Sequence, residues 1–178
     1  MTPLSTARPV RTADGRPLAW SRLSILLHWL VVVLIVVQSV AADSMEALFD
    51  ATYEGGPLSG LDRALGWTHI VCGSAILAAM AARLADRLLV GRPPHDAGDP
   101  ALAVRLARVT HALLYALLLA MPVLGLLAWI TGEEAFADLH TLLWTPLLVL
   151  VALHVAGALA QQFWFRTDAL RRMARLRR

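Results

Sequence analysis

Four long apolar stretches, separated by shorter polar ones, dominate the pattern of the chain. They lie at about residues 23–42, 67–84, 106–130 and 139–165. Each is long enough to cross about 30 Å of hydrocarbon as a helix that rises about 1.5 Å per residue. Because lipid offers no hydrogen bonds to a spanning backbone, each stretch is expected to be helical. The pattern therefore predicts an all-α integral membrane four-helix bundle.

The composition supports this class of protein. Apolar residues form 58% of the 178-residue chain and charged residues 16%, whereas a soluble domain carries about 25% charged residues. An ordinary water-soluble domain and a disordered chain are therefore excluded. We expect a single membrane domain comprising residues 1–178, with membrane lipid as its surroundings.

Charged residues sort the polar segments into two kinds. All 16 basic residues are arginine, and most lie before the first span, after the second and after the fourth: Arg8, Arg11, Arg16, Arg22, Arg87, Arg92, Arg105, Arg108, Arg166, Arg171, Arg172, Arg175, Arg177 and Arg178. Acidic residues dominate the other two connections: Asp43, Glu46, Asp50, Glu54, Asp62, Glu133, Glu134 and Asp138. The positive-inside rule predicts that both termini are cytoplasmic, with an N-terminal segment 1–21 and a basic tail 166–178 on that side. Because the arginines flank spans, no nucleic-acid partner is expected.

Histidines inside the spans are the main candidates for chemistry, since ionisable residues within a membrane are costly and usually functional. His28 and His154 lie towards the cytoplasmic ends of the first and fourth spans. His69 and His140 lie towards the periplasmic ends of the second and fourth. The fourteen residues from His140 to His154 make about 3.9 turns and roughly 21 Å, so both share one helix face. Depth therefore pairs His28 with His154 and His69 with His140.

Two facing imidazoles suit a haem better than a bare metal ion. A zinc site needs three or four protein ligands, whereas haem supplies four nitrogens of its own and takes two axial ligands. The two pairs thus predict two molecules of haem b per chain. In the alternative hypothesis each histidine is bonded to a carbonyl or a neighbouring helix, and the protein is a haem-free membrane transporter or scaffold. Pro146, between His140 and His154, can kink the fourth helix and rotate its two halves.

Four further residues are weaker candidates. Gly73 follows His69 by one turn and leaves room for a flat ligand, although small residues also serve helix packing. His111 and Tyr115, one turn apart in the third span, can bond a haem propionate or a quinone, or simply pack. Arg22 can pair with a propionate, and its topological role explains it equally well.

Several segments together resemble the bacterial cytochrome b561 family. They are residues 21–29, 69–73, 83–84, 111–115, 121–125, 154–159, 163–164 and 168–173, so the likeness runs from Trp20 to Met173. The resemblance implies a four-helix bundle in the bacterial inner membrane, often a homodimer. It also implies two non-covalent b haems, ligated by His28 with His154 and by His69 with His140. The sequence departs from the family in its short connection between the third and fourth spans and in Pro146.

The family moves electrons between the quinone pool, such as ubiquinone, and a periplasmic partner or small reductant, of which superoxide is one suggested donor. Our leading interpretation is therefore a di-haem electron carrier acting as a quinone-linked oxidoreductase. An alternative is a cytochrome b anchor subunit with a stable dehydrogenase or hydrogenase partner. The acidic connections would repel an anionic donor such as superoxide over about a Debye length.

Overall fold

The computed structural model describes residues 19–93, 100–167 and 169–174. The helices in this part of the chain are α1 (Arg22–Tyr53), α2 (Gly60–Leu89), α3 (Ala101–Thr131), α4 (Glu134–Leu142), α5 (Trp144–Phe163) and α6 (Ala169–Ala174). Four helical units are long and apolar enough to cross a membrane, namely α1, α2, α3 and the pair α4–α5. The prediction of an all-α membrane four-helix bundle is confirmed. The predicted basic positions in 1–18 and 175–178 lie outside the described residues.

The starts of α1 and α2 and the end of α3 lie at residues suited to capping. Ser21 accepts a hydrogen bond from the Ser24 N–H at 2.9 Å before α1, and Ser59 accepts one from the Asp62 N–H at 3.0 Å before α2. Such side-chain oxygens satisfy N–H groups that have no partner within the helix. Gly132, with φ of 71°, ends α3 in the left-handed conformation, which glycine adopts without strain.

Both α1 and α2 extend beyond the predicted apolar stretches where the two meet. α1 continues to Tyr53 and α2 begins at Gly60, so much of the acidic connection 43–66 is helical. We call this end of the bundle, which carries the α1–α2 and α3–α4 connections, the acidic end. The opposite end, which carries Arg22, Arg87 and Arg105, is the arginine end.

A glycine lets α1 and α2 approach closely near the acidic end. Gly66 is buried, and a Cβ atom there would lie 2.7 Å from the Cβ and Cδ2 atoms of Leu48 and 3.0 Å from the Ser44 carbonyl oxygen. The Ser44 hydroxyl also donates to Asp62 at 3.0 Å across the same contact. Close packing of small residues is the main source of helix association in lipid, and α1 with α2 forms the most extensive contact in the described residues.

The fourth span consists of two helices that meet at Leu143. Pro146 lies in the first turn of α5 and has no N–H to donate to the Leu142 carbonyl, so the helical ladder is interrupted there. The Leu147 N–H donates to Leu143 at 3.1 Å and continues the ladder. The break therefore falls between His140 on α4 and His154 on α5.

A layer of buried apolar side chains fills the middle of the bundle. It consists of Val31, Ile76, Ala79, Met80, Leu114, Leu118, Met121 and Leu147. In the fourth span, Leu147 of this layer lies between His140 of the acidic end and His154 of the arginine end. At the arginine end α6 packs against α5, and the Trp29 Nε1–H donates to the Met173 carbonyl at 3.0 Å.

Candidate functional site

The four intramembrane histidines form two pairs of the same spacing. The ring centroids of His28 on α1 and His154 on α5 are 6.1 Å apart, with an interplanar angle of 68°. Those of His69 on α2 and His140 on α4 are also 6.1 Å apart, with an angle of 66°. These are the same two pairs that were expected from the depth of each histidine within its span. One pair lies towards each end of the bundle.

The spacing fits one iron atom between the two rings of each pair. A metal–imidazole bond of about 2 Å, with about 1.1 Å from the nitrogen to the ring centre, puts two opposed imidazoles about 6 Å apart between centroids. Within the described residues no three His, Cys, Asp or Glu side chains come close enough to hold a metal ion. A two-donor set with this spacing suits a planar group that brings its own remaining ligands, and haem is such a group.

The ring of His140 is oriented by a hydrogen bond to α3. Its Nδ1 lies 2.7 Å from the Met121 carbonyl oxygen of α3. With the proton assigned to Nδ1 as donor, Nε2 is left with its lone pair for a metal, the usual arrangement of a ligating histidine. Gly125 makes this position accessible, because a Cβ atom there would lie 3.1 Å from Nδ1 and 3.2 Å from Cε1 of His140.

His69 lacks a corresponding partner. Its Nδ1 is buried with no hydrogen-bond partner in the structure. Gly73, one turn further along α2, faces α1, and a Cβ atom at Gly73 would lie 2.9 Å from Nε2 of Gln38. The group nearest to the missing Cβ atom of Gly73 is therefore the Gln38 amide, and the room for a flat ligand at Gly73 stays a prediction. Sequence reasoning missed Gln38, although an amide inside the first apolar stretch was a detectable signal.

At the arginine end His111 contacts a histidine and Tyr115 contacts an arginine. The His111 ring contacts His154 edge-on, with centroids 5.0 Å apart, and its Nδ1 lies 2.5 Å from the Ala107 carbonyl oxygen. The guanidinium of Arg87 lies 5.3 Å from the centre of the Tyr115 ring, a cation–π distance. The structure thus places His111 against His154, and Tyr115, one turn further along α3, against Arg87.

Arg83 is a functional candidate that the sequence analysis did not single out. It is the one buried charged side chain among the described residues, 9% exposed, and its Nε is buried without a hydrogen-bond partner. It lies on α2 towards the arginine end. An unpaired buried cation is strongly unfavourable, so a carboxylate or phosphate bound here would stabilise the site. Arg22, the predicted candidate, is exposed at the start of α1.

Comparison with known proteins identifies the family. The family model described as prokaryotic cytochrome b561 matches residues 19–175. A protein named cytochrome b562 from Cereibacter sphaeroides is 31% identical over 160 residues, which are 89% of this chain and 96% of the relative. A probable superoxide oxidase CybB from Yersinia pestis is 29% identical over 175 residues, with 86% and 94% of the two chains covered. The chain therefore belongs to the prokaryotic cytochrome b561 family of bacterial membrane cytochromes, which transfer electrons.

Proposed function

We propose that the chain binds two b-type haems and passes electrons between a small reductant and the quinone pool. His28 and His154 ligate one haem near the arginine end, and His69 and His140 ligate the other near the acidic end. The observation that carries the proposal is the equal 6.1 Å separation in both pairs, which fits one iron in each. Membership of a cytochrome family argues against the haem-free alternative.

The chain's contribution to this chemistry is to supply ligands and to separate the two sites. A bound haem supplies a reversible one-electron change, whose potential depends on axial ligands, burial and hydrogen bonds. The two histidines of each pair would hold the haem without leaving a position for oxygen, so the sites would favour electron transfer over oxygen activation. The apolar layer between the pairs excludes water from the middle of the bundle.

Arg83 is assigned to hold a carboxylate of the haem at the arginine end. Among the described residues its Nε has no acceptor, and it lies on α2 towards the arginine end. A porphyrin propionate provides the missing negative charge in a charge-assisted hydrogen bond. Arg22, at the exposed start of α1, stays the second candidate for a propionate.

The arginine end is proposed to face the cytoplasm, which places the acidic end on the periplasmic side of the inner membrane. The relative from Yersinia pestis is named a probable superoxide oxidase, and on this similarity superoxide is a candidate donor at the acidic end. Acidic side chains crowd that end: Asp43, Glu46, Asp50, Glu54, Asp62, Glu133, Glu134 and Asp138. They repel an anion within about 8 Å at physiological salt, so charge favours a neutral or cationic reductant.

The quinone link is supported by two side chains that can hydrogen-bond a quinone oxygen. His111 on α3 contacts His154 of the His28–His154 pair. Tyr115 follows it by one turn, and Arg87 lies against the Tyr115 ring. We place ubiquinone exchange at this end. Two partners are candidates, a second copy of this chain and a dehydrogenase. The mass and the protein composition of the particle purified in a gentle detergent distinguish a homodimer from a complex with a dehydrogenase.

The test of the ligand assignment is the haem content of single alanine variants, measured as pyridine haemochrome per chain. Changing His28, His69, His140 or His154 to alanine is expected to lower the content from about two haems to about one. His111→Ala is the matched control, a fifth intramembrane histidine that is expected to leave both haems in place. A variant of one of the four that keeps two haems would contradict the assignment of that residue.

A further inference from the structure

Gln38 and His69 are half-buried polar side chains on facing helices, and each has a buried atom without a partner. Oε1 of Gln38 on α1 and Nδ1 of His69 on α2 are both buried and make no hydrogen bond in the structure. Gly73, four residues after His69 on the same face of α2, would place a Cβ atom 2.9 Å from Nε2 of Gln38. The amide of Gln38 therefore lies against α2 within one turn of His69.

The two unpaired atoms have complementary hydrogen-bonding roles. Oε1 of an amide can only accept a hydrogen bond, and Nδ1 of a histidine that ligates a metal through Nε2 carries a proton and donates one. His140, on the other side of the same proposed iron, already has its Nδ1 on the Met121 carbonyl at 2.7 Å. His69 is thus the member of the pair whose second nitrogen needs an acceptor.

We infer that Gln38 is a positioning residue that accepts a hydrogen bond from Nδ1–H of His69. This inference rests on the proposed function, since His69 donates from Nδ1 when Nε2 is bound to iron. The bond would fix the ring orientation and make the imidazole a stronger electron donor. A stronger donor stabilises ferric over ferrous iron, so Gln38 lowers the midpoint potential of the haem at the acidic end.

A purely structural role for Gln38 makes a different prediction. If the amide only fills the space beside Gly73, any substitution that disturbs this contact moves the potential in one direction or not at all. If Oε1 accepts from His69, removal of the acceptor and replacement by a stronger acceptor have opposite effects. Gln38→Met removes the acceptor at nearly constant volume, and Gln38→Glu supplies a carboxylate.

The chain offers a matched control at the other end of the bundle. Gln162, near the end of α5, also has a buried Oε1 without a partner. It lies beyond His154 at the arginine end, remote from His69. Gln162→Met therefore removes the same chemical group without touching the proposed hydrogen bond.

The experiment is a redox titration of the purified full-length protein, with haem per chain measured first in the wild type. We expect Gln38→Met to raise one of two midpoint potentials, Gln38→Glu to lower the same one, and Gln162→Met to leave that one unchanged. Repeating both Gln38 changes in the His28→Ala protein assigns the shift to the haem of the acidic end.

Two results would overturn the inference, and a third would overturn the proposed function instead. Unchanged potentials in both Gln38 variants of a fully loaded protein, or shifts of the same sign, contradict the hydrogen bond while the two haem sites stand. A wild-type protein that contains no haem contradicts the proposed function itself. If only Gln38→Glu loses haem, the potential of Gln38→Met decides. A rise supports the hydrogen bond, and an unchanged or lower potential contradicts it.

Discussion

Gly125→Ala tests how tightly α3 holds the ring of His140. The added Cβ atom would lie 3.1 Å from Nδ1 and 3.2 Å from Cε1 of His140, whereas carbon atoms in contact are about 3.5–4.0 Å apart. The ring must therefore move away from α3 by several tenths of an ångström. That movement stretches the 2.7 Å hydrogen bond from Nδ1 to the Met121 carbonyl and presses the ring towards His69.

The expected cost follows from the hydrogen bond that is weakened. Loss of a neutral hydrogen bond costs about 0.5–1.5 kcal/mol, and about 1.4 kcal/mol corresponds to a tenfold change in an equilibrium constant. Gly125→Ala should therefore weaken haem binding by about 2- to 10-fold at the acidic end only. The other haem, between His28 and His154, should be unaffected.

Transfer of haem from the purified protein to excess apomyoglobin, followed optically, measures this effect. The account predicts faster loss of one haem of two in Gly125→Ala. Gly157→Ala is the matched control, a glycine three residues after His154 on α5 whose Cβ atom would meet nothing within 4 Å. Equal rates of haem loss in both variants, or no change in Gly125→Ala, would refute the reasoning about the ring.

Three further predictions concern packing and charge. Gly66→Ala places a methyl group against Leu48 and should lower the free energy of unfolding by about 1–3 kcal/mol. Thermal denaturation in detergent measures this, and Gly60→Ala, whose Cβ atom has open space, is the control that should be unaffected. Arg83→Leu should loosen only the haem of the arginine end in the same transfer assay, and unchanged retention would contradict a bound carboxylate. Tyr53→Phe removes the hydrogen bond from the Tyr53 hydroxyl to the Trp129 carbonyl and should lower the free energy of unfolding by about 0.5–1.5 kcal/mol, while both haems are kept. A denaturation midpoint equal to that of the wild type would show that this bond contributes nothing to stability.

The depth of a residue could be predicted from the sequence because the membrane fixes it. Length and hydropathy place the spans, and position within a span then determines which side chains share a level. The His28–His154 and His69–His140 pairs expected from depth lie 6.1 Å apart in the structure. The four spanning units likewise follow from apolar length alone.

The rotation of each helix about its axis could not be predicted in the same way. In a membrane both the packed and the lipid-facing sides of a helix are apolar. The hydrophobic pattern therefore carries little information on which side of the helix packs against its neighbours. Val31 is 4% exposed, whereas Val33, two residues later, is 59% exposed. The contact of Gln38 with Gly73 and that of Gly125 with His140 depend on this rotation.

Arg83 and the break at Leu143 were missed for different reasons. An arginine inside the second predicted span was visible in the sequence, but its burial and its unpaired Nε emerge only from the packing of its neighbours. Pro146 indicated a kink, but whether the helix bends or divides depends on the contacts that the two halves make with α3.

The haem content and optical spectrum of the purified wild-type protein test the central claim most directly. The measurement is a pyridine haemochrome assay per chain, together with a reduced-minus-oxidised spectrum recorded with and without carbon monoxide. Two histidine pairs predict two b-type haems, both low-spin, with a reduced spectrum that carbon monoxide does not change. One haem per chain, none, or a reduced form that binds carbon monoxide would contradict the account.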